Sequence, residues 1–160
     1  MIITFVGHSK MQTNDHLADR LEEAIRENLP MKDKVSFYCG GYGDFDNLCA
    51  KVCRDIAAER KNCEVLLITP YLTESQQKKL SEIQKTKLYD NILYPPIENV
   101  PPRFAILKRN EWMINEADFV IAFVSHTYGG AYKTLNFAKR KHKRILNLAE
   151  GQKAKDPVSV

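Results

Sequence analysis

Two stretches of this sequence combine glycine, acidic and hydroxyl residues at spacings that suit an anion. The first, GGYGDFD (40–46), breaks an apolar run and opens a helical pattern. A turn from strand into helix leaves its first backbone N–H groups unpaired and carries the positive end of the helix dipole. Glycine lets a ligand approach such an end without a Cβ in the way, and phosphates fit there. Gly40, Gly41 and Gly43 shape the turn, Asp44 is placed to cap the helix, and Asp46 lies in its first turn. Tyr42, inside the loop, offers an aromatic face that could stack on a base or cover the site. The second stretch, SHTYGGAYKT (125–134), repeats the arrangement after another apolar run. Gly129, Gly130 and Ala131 stand at the junction, Ser125 and Thr127 supply hydroxyls, and Lys133 and Thr134 are expected in the first helical turn. GHSK (7–10) follows the first apolar run, so Gly7, His8 and Ser9 join the candidate set.

Neither glycine turn is a standard phosphate fingerprint. GxxxxGK[ST] is absent from the chain, and Gly41-x-Gly43-x-x-Asp46 lacks the third glycine of the dinucleotide motif.

The elements that must position these loops alternate regularly. Apolar runs at 2–6, 35–39, 63–70, 89–96, 117–124 and 144–149 have the continuous character of buried parallel strands. Between them, 16–29 carries Leu17, Leu21, Ala24, Ile25 and Leu29 on one helical stripe, with Pro30 as a stop. Further helices are expected at 45–60, 103–117 and 131–141, while 71–90 is polar with weak helical character. This order predicts an α/β fold with a mainly parallel sheet covered on both faces. In such sheets ligands bind beyond the carboxyl ends of the strands, where all three glycine-bearing loops fall.

Composition narrows the function classes. The chain has 160 residues, 44% hydrophobic and 28% charged, ordinary globular values. No apolar run approaches the roughly 20 residues of a membrane span, and the start resembles a buried strand rather than a signal peptide, so a cytoplasmic protein is expected. The net charge of +4 is local: Lys139, Arg140, Lys141, Lys143 and Arg144 cluster where a helix ends, a favourable place for cations. Without interleaved aromatics or a known module, this cluster does not suggest nucleic acid as a partner. Cys39, Cys49, Cys53 and Cys63 do not suggest a metal, because a helix of about 24 Å separates the outer two.

ILKRNEWMINEADFVIAFVSHTYGGAYKT (106–134) resembles the SMF/DprA–LOG (SLOG) group of Rossmann-like nucleotide-binding domains. Arg109 and Met113 match its Arg-Lys-x-x-Met helix, Ala117 and Asp118 its Ala-Asp strand, and Gly129 and Gly130 its glycine pair. GGYGDFD and GHSK stand where the group carries comparable turns, so the likeness covers about residues 1–148. The resemblance implies that Arg109, with its neighbour Asn110, serves a phosphate, that Arg109 is the catalytic residue if there is catalysis, and that the protein is a homodimer. Asn136 stands at the position of the LOG carboxylate, Tyr128 at the motif proline, and Tyr132-Lys133 at the later Gly-Thr. An amide cannot act as a general base, so binding is favoured over hydrolysis.

The expectation is a single-domain, Rossmann-like three-layer sandwich over 1–150, followed by a flexible polar tail at 151–160. It binds a nucleotide or nucleotide derivative as a sensor or sequestering domain, with no cofactor and no metal. The alternatives are a LOG-like hydrolase of nucleoside monophosphates and, more weakly, a DprA-like nucleic-acid-associated module.

Overall fold

The protein is described by a computed structural model covering residues 1–150; the expected tail at 151–160 lies outside the described residues. Six strands form one wholly parallel sheet: β1 (Ile2–Gly7), β2 (Val35–Cys39), β3 (Cys63–Ile68), β4 (Asn91–Leu93), β5 (Phe119–Phe123) and β6 (Arg144–Asn147). Their order is β4-β3-β2-β1-β5-β6. The chain winds outward from β1 to β4, then crosses to the far side of β1 for β5 and β6. The winding therefore switches direction between β1 and β5, where Ile3 pairs with Phe119 and Gly7 with Phe123. At such a point the two flanking connections leave on opposite faces, and a crevice opens at the strands' carboxyl ends.

Side-chain alternation along the central strands separates two packed layers. Ile3 and Phe5 of β1 and Phe119 and Ile121 of β5 face α1 (Asp15–Arg26) and α2 (Asp44–Glu59), meeting Leu21, Ile25, Phe45 and Ile56. Val6, Val120 and Ala122 face α4 (Ala105–Glu116) and α5 (Gly129–Arg140), meeting Ile114, Leu135 and Ala138. Helix α1 is capped by Asn14, whose side chain accepts from Leu17 N at 2.8 Å, a bond of the kind worth about 1 kcal/mol. Trp112 stacks on Tyr38 with centroids 5.7 Å apart, a packing contact between α4 and β2. The four cysteines are free and buried. Burial raises the thiols of Cys49, Cys53 and Cys63, which keeps them protonated and inert.

The polar 71–90 stretch contains α3 (Glu74–Lys85), which buries none of its side chains. Its apolar stripe is too thin to dock on the sheet. Among the described residues no helix is long and apolar enough to cross a membrane.

Candidate functional site

A cleft of about 360 Å³ opens at the switch point. Its walls come from β1 and the loop after it (Gly7, His8, Ser9, Lys10), from Gly40, Tyr42 and Asp46, from α4 (Arg109, Asn110) and from the start of α5 (Gly129, Gly130, Ala131, Thr134). Its volume falls within the range of small-molecule sites. Three loops distant in sequence meet there because each follows a parallel strand.

The two glycine turns differ in what their helix ends are free to do. At α2 the first N–H groups are already taken: Asp44 N donates to Ser9 O at 2.8 Å and Phe45 N to His8 O at 3.4 Å. Gly43, not Asp44, is the cap residue, at φ 94°, and a Cβ there would come 2.5 Å from Ser9 Cα. Glycine is required so that the turn can press on the 8–10 loop, rather than to admit a ligand. The Asp44 carboxylate does not cap α2 but accepts from Met11 N at 2.9 Å, securing the same loop. Gly41 backs onto Leu67. Gly41, Gly43 and Asp44 therefore pack the first turn and stand outside the cleft lining.

At α5 the end is open. Tyr128 is the cap residue and makes no side-chain capping bond. Gly129 adopts φ 88°, and a Cβ at Gly129 or Gly130 would meet nothing within 4 Å. Among the described residues, no acceptor takes the N–H groups of Gly130 and Ala131. The helix begins two residues before the expected 131, so Lys133 and Thr134 lie beyond the first turn. Thr134 donates its hydroxyl to Gly130 O at 3.0 Å and still lines the cleft. Lys133 and Thr127 turn away, into a second cleft of about 480 Å³ with Tyr132, Asn136 and Arg140. Asn136 thus lines a different cleft from Arg109.

Arg109 and Asp46 form the floor. Arg109 is 2% exposed. Its Nη1 donates to Gly40 O at 2.9 Å and Ile68 O at 2.7 Å, and its Nε to Asn110 Oδ1 at 2.8 Å. Nη2 is left without a protein acceptor among the described residues. Burial lowers the Arg109 pKa while Asp46 opposes that shift, and the group stays charged at neutral pH. Asp46 accepts from Tyr42 N at 3.1 Å. Burial pushes its carboxyl up to about 6, against the pull of that N–H and of Arg109. Asp46 and Arg109 are not in ion-pair contact, so the guanidinium is incompletely neutralised.

The third wall is aromatic. His8 Nε2 accepts from Ser125 N at 3.0 Å, and Ser125 itself stands outside the cleft lining. The His8 ring stacks on His126 (3.8 Å, 16°), and His126 stacks on Tyr128 (4.0 Å, 18°). Burial, then the neighbouring His126, lowers the His8 pKa. The expected site residues omitted Lys10, His126 and Tyr128. A His-x-Tyr pair beside the Gly129–Gly130 turn was the available signal, but its stacking on residue 8 depends on strand order.

No family model matches the chain, and no curated protein matches it in sequence. Solved structures share its fold. DNA processing protein A of Helicobacter pylori, in a structure concerned with how that protein binds single-stranded DNA, superposes with a TM-score of 0.56 at 14% identity; the match covers 91% of this chain and 63% of that one. DNA processing protein A (DprA) of Streptococcus pneumoniae superposes with a TM-score of 0.58 at 16% identity, covering 89% of this chain and 48% of that one. The chain shares a Rossmann-like α/β fold with these two proteins and spans less than two thirds of either one's length. One expectation is corrected here: the sequence, lacking a known module, argues against nucleic acid as a partner, yet the H. pylori protein, which shares this fold, binds single-stranded DNA.

Proposed function

We propose that the switch-point cleft binds the phosphate of a nucleotide unit, either free or within single-stranded nucleic acid. The observation that carries this reading is the buried, incompletely neutralised Arg109 guanidinium, with Nη2 unpartnered among the described residues, in the same cleft as the open N-terminus of α5. A buried cation and oriented N–H groups converging on one space suit an anion bearing several acceptor oxygens. Lys10 adds charge at the rim, and Asp46 supplies an acceptor or a donor according to its protonation. The fold shared with a single-stranded DNA-binding protein supports a strand as one occupant. Hydrolysis has less support, because Arg109 and Asn136 line different clefts.

The test is calorimetric titration and thermal shift with inorganic phosphate, AMP and a short oligothymidylate. A ligand at about 100 times its Kd should stabilise the protein by about 2.7 kcal/mol. Gly130→Val, which places a side chain in the open end of α5, should weaken every binder. Absence of a shift with all three probes at millimolar concentration would sink the proposal.

A further inference from the structure

The His8–His126–Tyr128 stack is placed and finished like a binding surface rather than a packing contact. Its inner ring, His8, is buried and pinned by the Ser125 N–H. The middle ring is pinned by its own turn: His126 Nδ1 lies 3.1 Å from the Tyr128 carbonyl, which can only accept, so Nδ1 carries the proton. The outer ring, Tyr128, is 70% exposed. Tyr128 stacks on His126, and most of its surface remains exposed. A tyrosine held in a fixed plane yet left open gains little from hydrophobic burial. It does offer a preorganised π-face at small entropic cost. Tyr128 also immediately precedes Gly129 and Gly130 and lines both clefts, so a phosphate at the α5 end and a planar group on Tyr128 are one residue apart along the backbone.

Resting on the phosphate reading above, we infer that Tyr128, backed by His126 and His8, is the platform on which the base of the bound nucleotide stacks. Stacking suits any base, so the platform adds affinity without choosing among bases.

The test compares AMP with ribose 5-phosphate, which lacks only the base, on wild type, Tyr128→Ala and Tyr128→Trp. Tyr128 is exposed, so both variants should fold, as thermal denaturation will verify. Wild type should prefer AMP by roughly 10-fold to 100-fold, the range of one base on one aromatic ring. Tyr128→Ala should abolish that preference while leaving ribose 5-phosphate affinity unchanged, and Tyr128→Trp should keep it. A short oligothymidylate run alongside separates the sources: binding tighter than AMP and weakened by Tyr128→Ala assigns the platform to a strand, and binding no tighter assigns it to a free nucleotide. Equal affinity of wild type for AMP and ribose 5-phosphate, or a preference that survives Tyr128→Ala, overturns the platform and leaves the phosphate site standing. Failure of ribose 5-phosphate, AMP, inorganic phosphate and the oligothymidylate all to bind overturns both.

Discussion

The Arg109 guanidinium holds the Gly40 carbonyl at 2.9 Å, so a side chain of α4 secures the end of β2, 69 residues away in sequence. The same nitrogen holds Ile68 O at the end of β3. One cation thus ties two adjacent strand ends together and also lines the cleft.

Arg109→Leu should therefore lose stability as well as phosphate. Two buried carbonyls would lose their charged donor, at about 1–3 kcal/mol each when left unsatisfied. Urea denaturation should show a loss of roughly 2–5 kcal/mol, and an unchanged midpoint would contradict the bridging role. Arg109→Lys should keep a charge but lose the fork, giving an intermediate loss.

The dependence of stability on pH should have two opposed parts. Folding holds the His8 pKa below its ordinary 6.5, so the unfolded chain takes the proton first and stability falls as pH drops below about 6.5. Folding raises Asp46 from 3.8 to about 6, so its carboxylate costs the folded state above about pH 6, and that cost is relieved as pH falls toward 3.8. Asp46→Asn should be more stable than wild type near pH 8, by at most about 3 kcal/mol, with the advantage shrinking toward about pH 4. Thermal denaturation across that range checks the sign. An advantage that grows with acid would refute the assignment.

The two glycine turns should separate under substitution. Gly43→Ala puts a methyl 2.5 Å from Ser9 Cα at a positive φ and should cost about 1–3 kcal/mol. Gly130→Ala meets nothing within 4 Å and should stay within about 0.5 kcal/mol of wild type while weakening phosphate. Similar losses at both positions would erase the distinction between a packed helix end and an open one.

If a strand binds, Lys133 and Arg140 in the second cleft should each contribute to its salt dependence. Replacing both with alanine should lower the slope of log affinity against log salt by roughly 1–2, at about 0.7 per phosphate contact for single strands. A slope unchanged in the double variant would place the strand elsewhere.

Much of the fold is legible in the chain because buried parallel strands are written as short apolar runs. IITFV, CEVLLI and FVIAF announce themselves, and Leu17, Leu21 and Ile25 mark the face of α1. The site is half legible. The glycine turns at Gly40 and Gly129–Gly130, with Asp46, point to the cleft from spacing, and Arg109 is picked out by the resemblance. That the first helix end is consumed by the backbone of Ser9 and His8 follows from a contact made only in three dimensions. The exclusion of Lys133 from the cleft turned on where α5 begins, a shift of two residues that rotates a side chain to the other side of the helix. Single-sequence periodicity does not resolve such a shift.

The central place of β1 has a consequence for synthesis. Of the six strands described, β1 is made before the others, and its β2 edge can be paired once Val35–Cys39 has emerged. Its other edge waits for Phe119–Phe123, and the Ile2 N–H waits for the Asp118 carboxylate that takes it at 2.7 Å. Throughout that interval the nascent chain presents a continuous apolar strand with one unpaired edge, a template for pairing with another chain. Fragments truncated before residue 119 should accordingly aggregate, and the hazard in making this protein lies in the middle of its sheet, not at its rims.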